Sequence, residues 1–187
     1  MTGRLRPMLR WSLIALILVG CGYFAATDAS ADRQCGSVRC GSLDPGPCAN
    51  PKLGTAGEDE LRGTGRGDQL FGRGRHDLVF GFAGADCLIG GDGPDRLNGG
   101  KGADRLLGQA GADRFQGDSG ADRLSGGPGR DELSGGTGPD RMLGGAGADL
   151  LRAAEGRRDI VRCGRGRDRA VVDRVDVVRG CELVTRR

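Results

Sequence analysis

The sequence predicts an all-β protein in which short strands stack into a solenoid. Glycine supplies 38 of the 187 residues, and aromatic residues make up 4% of the chain. Such a chain cannot form an ordinary close-packed globule, because glycine loses the most backbone entropy on folding. Residues 54–152 divide without a gap into eleven segments of nine residues. Each segment opens with Gly, has Asp at its sixth position and carries an apolar residue at its eighth.

Residues 1–31 are predicted to be an export signal that is not part of the fold. Arg4, Arg6 and Arg10 form a basic start, and the apolar run over 11–19 is too short to span a bilayer comfortably. The protein is therefore expected to leave the cytoplasm.

Two processing routes remain open for this signal. Residues 18–21 resemble a lipobox, which would put a lipid on Cys21 and anchor the protein on the outer side of the membrane. Residues 29–31 (Ala-Ser-Ala) resemble a cleavage site, which would release a secreted chain beginning at Asp32. Release is favoured, because the residues that follow Cys21 are more apolar than a tether requires.

The cysteine count is consistent with export. Six cysteines remain after Cys21, and they allow 15 pairings in an oxidising compartment. Three of them, Cys35, Cys40 and Cys48, lie in an N-terminal segment over 32–53. The other three are Cys87, Cys163 and Cys181.

Each nine-residue segment predicts a turn followed by a short strand. The Gly-rich first six positions permit positive φ, and three residues remain for a strand in which the eighth side chain faces opposite to the seventh and ninth. A single segment cannot bury its one apolar residue, but a stack of segments can. The sixth-position residues are Asp59, Asp68, Asp77, Asp86, Asp95, Asp104, Asp113, Asp122, Asp131, Asp140 and Asp149.

The segment 90–98 matches G-G-x-G-x-D-x-U-x, and so do the segments that open at Gly99, Gly126, Gly135 and Gly144. The repeat therefore resembles the repeat-in-toxin (RTX) family of calcium-binding nonapeptides. The resemblance implies a right-handed parallel β-roll with two nonapeptides per coil and calcium between the turns of segments i and i+2. It implies carboxylate ligands from Asp59, Asp86, Asp95, Asp104, Asp113, Asp122, Asp131, Asp140 and Asp149. It implies carbonyl ligands at second and fourth positions, namely Gly91, Gly93, Gly100, Gly102, Gly127, Gly129, Gly136, Gly138, Gly145 and Gly147.

Calcium is also the ion that the chemistry of the stack predicts. The turns offer only oxygen ligands, which calcium prefers, and Asp side chains about 5 Å apart in neighbouring coils would repel by on the order of 1 kcal/mol a pair. The roll is therefore expected to be largely disordered without calcium and folded with it. Six odd and five even segments allow five and four intervals, so nine sites at most. Affinities of about 10⁻⁴ to 10⁻³ M are expected for an extracellular module.

Two segments depart from the pattern. Arg66 and Arg75 replace the fourth-position Gly, which adds a Cβ and a positive charge to the turn. Calcium sites that use Asp68 and Asp77 are therefore not expected to be good ones.

After Arg152 the nine-residue phase slips by one, and residues 153–187 read as degenerate repeats. This tail resembles the C-terminal ends of other exported bacterial repeat proteins of the family. It is predicted to cap the open end of the stack, with a disulfide between Cys163 and Cys181 to staple it, and a binding head is the alternative.

The outer faces of the predicted roll differ. Four of the five ninth positions in even segments are apolar, at Phe71, Ile89, Leu107 and Leu143. One hypothesis is that residues 32–53 pack on this face, with Cys35, Cys40 or Cys48 bonded to Cys87. The other is a partner-binding stripe.

Arg occupies the seventh position of many segments, as at Arg96, Arg105, Arg114, Arg123 and Arg141. These rows form either a solvated face that balances nearby Asp or a surface that captures an anionic glycan or lipid.

An enzymatic role is not expected. Only 22 residues separate the cleavage point from the first repeat, and His76 is the only histidine. The net charge of +3 does not indicate nucleic-acid binding, and membrane contact is expected only if Cys21 is lipidated. The leading hypothesis is an extracellular calcium-binding β-roll. The alternative is a calcium-dependent adhesion protein that engages a protein or glycan partner through an outer sheet face.

Overall fold

The computed structural model describes residues 51–153 and 157–187. These residues form sixteen β-strands and no helix, so no helix among them could cross a membrane. The strands are β1 (Pro51–Leu53), β2 (Glu60–Arg62), β3 (Gln69–Gly74), β4 (Leu78–Ala83), β5 (Cys87–Asp92), β6 (Arg96–Lys101), β7 (Arg105–Ala110), β8 (Arg114–Ser119), β9 (Arg123–Pro128), β10 (Glu132–Ser134), β11 (Arg141–Gly147), β12 (Leu150–Ala153), β13 (Ile160–Gly166), β14 (Arg169–Val172), β15 (Val177–Arg179) and β16 (Leu183–Arg186).

The strands form two parallel sheets of eight strands each. Odd-numbered strands make the first sheet and even-numbered strands make the second. Within the repeats, each strand pairs with the strand one coil away at an offset of eighteen residues, as Leu88 does with Leu106. Two nonapeptides therefore complete one coil, which confirms the predicted parallel β-solenoid.

The core is a single file of side chains between the two sheets. Every eighth-position residue from Leu70 to Leu151 is buried, with at most 3% of its surface exposed. Strand alternation places the seventh and ninth residues on the outer faces, so each strand contributes one main side chain to the core. Full burial of each such side chain contributes about 2 kcal/mol.

The N-terminal end of the roll is closed by a charged residue. Lys52 of β1 is in register with Leu70, in the row of core residues, but its side chain is exposed. Its Nζ donates a hydrogen bond to the carbonyl oxygen of Arg62 at 2.5 Å. A long side chain with a charged end can cover the first core layer while its ammonium group stays in water.

The tail continues the roll instead of forming a separate domain. Val161, Ala170 and Val172 are fully buried and extend the core beyond Leu151. A disulfide joins Cys163 to Cys181, whose Cα atoms are 5.1 Å apart. The last coils are therefore tied together covalently where the apolar core becomes thin.

The outer face of the first sheet changes along the roll. Near its start, Gln69, Cys87 and Ile89 are at most 7% exposed although alternation directs them away from the core. Leu143, further along the same face, is 44% exposed. Cys87 is disulfide-bonded, and its partner lies outside the described residues because Cys163 and Cys181 bond to each other.

Several predictions concern residues outside the described part of the chain. They are the export signal over 1–31, the lipobox with Cys21 and most of the segment 32–53. The one described part of that segment is Pro51–Leu53, which already forms a strand of the first sheet.

Candidate metal centre along the turns

The turns place the sixth-position aspartates in two columns, one before the strands of each sheet. From Asp59 to Asp159, the backbone N–H of each column Asp donates to Oδ1 of the Asp one coil further along, at 2.7 to 2.9 Å. The first-sheet column contains Asp68, Asp86, Asp104, Asp122, Asp140, Asp159 and Asp176. The second-sheet column contains Asp59, Asp77, Asp95, Asp113, Asp131, Asp149 and Asp168.

The second oxygen of most of these carboxylates has no hydrogen-bond donor in the described structure. Oδ2 is buried and has no hydrogen-bond partner in the described structure at Asp77, Asp86, Asp95, Asp104, Asp113, Asp122, Asp131, Asp149, Asp159 and Asp168. A buried acceptor without a donor costs about 1–3 kcal/mol, and a charged one costs more. A regular file of such oxygens therefore has the chemistry of a set of cation ligands.

Burial makes these carboxylates hard to ionise. It raises the pKa of Asp86, Asp95, Asp122 and Asp131 to about 7. The donated backbone N–H lowers each pKa, and the stacked aspartates one coil away raise it again. An adjacent cation would remove both the desolvation penalty and the repulsion between coils.

The first-position glycines make room for Oδ2. A Cβ on Gly72 would lie 2.3 Å from Oδ2 of Asp77 and 2.5 Å from the carbonyl oxygen of Gly90. The same two neighbours, the Asp of its own segment and the first-position carbonyl of the next coil, crowd Gly81, Gly117 and Gly126. The first-position carbonyls therefore approach the same spot as the carboxylates, which the sequence pattern did not indicate.

The second- and fourth-position glycines allow carbonyl groups to point along the stack. A Cβ on Gly102 would lie 1.6 Å from the carbonyl oxygen of Gly84, and one on Gly145 would lie 2.1 Å from that of Gly127. Positive φ occurs at each second- and fourth-position glycine named as a ligand, Gly91, Gly93, Gly100, Gly102, Gly127, Gly129, Gly136, Gly138, Gly145 and Gly147. These carbonyls supply the additional oxygens that a calcium site requires.

Some turns reach the same conformation without glycine. Arg75, at a fourth position, has φ of 73°, and Gln109, at a second position, has φ of 79°. Left-handed backbone costs a non-glycine residue about 1 kcal/mol or more. Arg66, the other fourth-position Arg, is not among the positive-φ residues of the described chain. The segments with Arg66 and Arg75 thus depart from the regular turn in two different ways.

The first two turns differ from all later ones. Oδ2 of Asp59 accepts hydrogen bonds from the backbone N–H of Thr55 at 2.6 Å and from its hydroxyl at 2.9 Å. Thr64 makes the same two bonds to Asp68, at 2.6 and 2.8 Å. Asp59, predicted as a metal ligand, therefore has its Oδ2 occupied by protein donors.

The columns extend beyond the eleven regular segments. Asp159, Asp168 and Asp176 continue the hydrogen-bonded files, and the N–H of Asp168 donates to Oε2 of Glu182 at 2.7 Å. The nine-residue pattern places these residues in the tail and does not assign them to the metal sites. The signal was available, because Asp159 and Asp168 are each followed two residues later by a buried core residue, Val161 and Ala170.

The donor set fits calcium and not a transition metal. No group of three or more His, Cys, Asp or Glu side chains within residues 51–153 and 157–187 could hold a metal by itself. Calcium does not need such a group, because it accepts backbone carbonyls together with a few carboxylates. The orphaned Oδ2 atoms and the aligned carbonyls are that kind of donor set.

Fold and turns together define a β-solenoid of the class that binds calcium between stacked nonapeptide turns. The family described as "RTX calcium-binding nonapeptide repeat (4 copies)" matches residues 53–81, 62–97, 89–124 and 125–160. The chain therefore belongs to the RTX calcium-binding nonapeptide repeat family. Proteins with these repeats are typically secreted. No curated protein matches the sequence.

Proposed function

We propose that the protein is an extracellular calcium-binding module whose roll becomes ordered when calcium binds between its turns, and that it has no catalytic role. The observation that carries the proposal is the file of buried Oδ2 atoms without donors in each Asp column. A typical domain is stable by only about 5–15 kcal/mol, and a few uncompensated buried carboxylates consume that margin.

The two columns make the ordering cooperative. Each central Asp lies between two others of its column, so its carboxylate serves the interval before it and the interval after it. Binding at one interval fixes a carboxylate of the next, and binding free energy becomes folding free energy. Asp159, Asp168 and Asp176 carry this arrangement into the tail.

The test is circular dichroism of the purified protein in calcium, in a chelator, and in a chelator followed by excess calcium. Strand signal should be lost on chelation and restored by calcium. Magnesium is the matched control, because it demands a smaller octahedral site and keeps its waters, so it should not restore the signal. Strand content that is unchanged by chelation would overturn the proposal.

We expect calcium sites with affinities typical of extracellular modules, and these are occupied outside the cell. The basic start and the apolar run over 11–19 support export, and the two processing routes predict different products. The mass of the mature chain separates them, since release leaves an unmodified N-terminus at Asp32 and lipidation leaves an acylated Cys21.

A second candidate function is calcium-dependent adhesion through the outer face of the first sheet. Leu143 is 44% exposed there, and Arg123 and Arg141 flank it along the same face. Glycan and lipid pull-downs with and without calcium test this candidate, and retention only with calcium would support it.

A further inference from the structure

A groove lies on the outside of the first sheet, over three successive turns of the C-terminal half. Its volume is about 280 Å³. The side chains that shape it are Ala121, Arg123, Pro139, Arg141, Arg158 and Ile160.

The register of three strands explains how the groove forms. Arg123, Arg141 and Ile160 are Cα partners on β9, β11 and β13, so successive side chains stand about 4.8 Å apart. Ala121 and Pro139 precede the aspartates of the first two turns and form a low floor. In the third turn the pattern is exchanged, because Arg158 precedes Asp159 and the apolar Ile160 follows it. Arg123 and Arg141 thus line the groove from neighbouring strands, and Arg158 lines it from the turn before the next strand.

These three arginines have no salt-bridge partner among the described residues. All three are exposed, and none takes part in an ion pair within residues 51–153 and 157–187. The equivalent row of the second sheet differs, since Glu132 lies in it and contacts both Arg114 and Arg152. Like charges directly opposite on neighbouring strands are destabilising, so the row at Arg123 and Arg141 is a cost for the free protein.

The two acidic residues that line the groove face away from it. Asp122 and Asp140 also border the groove, but each is only 1% exposed, because its carboxylate is turned into the interior of the turn. The groove therefore presents guanidinium groups and small apolar side chains.

We propose that this groove binds a sulfate or phosphate ester carried on a small organic body such as a sugar. A guanidinium group donates paired hydrogen bonds to tetrahedral oxyanions and is weakly hydrated, so several converging on one groove select that group. The floor of Ala121 and Pro139 accommodates the body of the ligand, and the volume approaches that of ordinary small-ligand pockets.

The experiment is isothermal titration of the purified protein in saturating calcium with glucose 6-sulfate, glucose 6-phosphate and glucose. At least one ester should bind and glucose should not, and the preferred ester identifies the source of the oxyanion. Arg141→Gln should weaken binding of the preferred ester about tenfold, the effect of losing one charge-assisted hydrogen bond.

The matched control is Arg96→Gln. Arg96 is an exposed seventh-position arginine on the second sheet, away from the groove, and its replacement should change affinity less than twofold. Equal weakening by both variants would show attraction to net charge alone and would overturn the proposal, as would binding of glucose or of neither ester.

Two checks keep the result interpretable. Circular dichroism in calcium verifies that each variant is folded, and if Arg141→Gln is not, Arg158→Gln takes its place because Arg158 lies in a turn outside the strands. The titration is performed in saturating calcium and does not depend on the effect of chelation. A roll that stays folded without calcium would therefore refute the proposed function, and the groove could still be tested.

Discussion

The first two turns of the roll and the turns that follow surround the Oδ2 atom of the sixth-position Asp differently. All of them carry an Asp at the sixth position, yet only Asp59 and Asp68 have Oδ2 bound by a Thr hydroxyl and amide. From Asp77 to Asp131 the second position is Gly or another residue at positive φ, and Oδ2 has no hydrogen-bond donor in the described structure. The aspartate alone therefore does not fix the surroundings of its carboxylate. The residue four positions earlier determines whether Oδ2 accepts hydrogen bonds from the protein.

Replacing a central aspartate should have the largest effect on stability and on calcium binding. Asp113→Asn removes a charge that serves two intervals, so it should destabilise the calcium-loaded roll by about 3 kcal/mol and lower the number of bound ions. Asp59→Asn should cost about 1 kcal/mol and leave the number of ions nearly unchanged, because Thr55 already satisfies that carboxylate. Calorimetric titration with calcium and thermal unfolding measure the two effects. Equal losses at the two positions would contradict the distinction.

Acid should partly replace calcium in the central turns. The pKa of Asp86, Asp95, Asp122 and Asp131 is raised to about 7 in the folded state, whereas an unfolded Asp titrates near about 3.9. The folded state thus holds more protons between these values. The stabilisation is fully present below the unfolded pKa and is lost as the pH rises through about 7.

In a chelator, strand content measured by circular dichroism should therefore increase as the pH falls from about 8 to about 5. In calcium the trend should reverse, with more calcium needed for folding at the lower pH, because protons and calcium compete for the same oxygens. A calcium-free chain that loses strand content on acidification would contradict this expectation.

Removing a threonine hydroxyl should produce a smaller effect that does not depend on calcium. Thr64→Val keeps the shape of the side chain but leaves Oδ2 of Asp68 with only the backbone N–H, at a cost of about 1 kcal/mol. The thermal midpoint should fall by about 2–4 °C for a domain of this size. Thr137→Val is the control, because the Thr137 hydroxyl contacts only a carbonyl oxygen, at 3.4 Å. A larger fall in the thermal midpoint for Thr137→Val than for Thr64→Val would contradict the role given to the Thr64 hydroxyl.

The smallest expected effect is a gain in stability. Arg75 adopts φ of 73° at a position where most segments have Gly. Arg75→Gly should relieve that strain and stabilise the calcium-loaded roll by up to about 1 kcal/mol, seen as a higher thermal midpoint. Arg130→Gly, at a fifth position without positive φ, should lower the midpoint instead.

The nine-residue phase was enough to predict which residues form the core, but not which of the turn glycines take positive φ. Leu88 and Leu106 lie where strand alternation requires, and the Asp columns follow from the same period. The Thr55 and Thr64 contacts could not be predicted in this way, because the second position varies and only the closed turn brings its hydroxyl to an aspartate four residues later.

The positions of the tail aspartates in the columns were harder to predict from the sequence, for a physical reason. The spacing from Asp140 to Asp159 is nineteen residues and that from Asp159 to Asp176 is seventeen, so a fixed period misses both. The structure absorbs the irregular lengths in the turns and keeps the strands in register. The same irregularity brings Arg158 beside Arg123 and Arg141, a grouping that no repeat pattern contains.

Pairing at an offset of eighteen residues sets a unit of growth for this architecture. Duplication or loss of a complete coil would leave every later strand in its own sheet and every aspartate above another. Insertion of nine residues just after β5 would transfer Arg105, Arg123 and Arg141 to the face opposite Cys87. Genes for such rolls can therefore change length freely only by whole coils, if the two surfaces are to keep their separate characters.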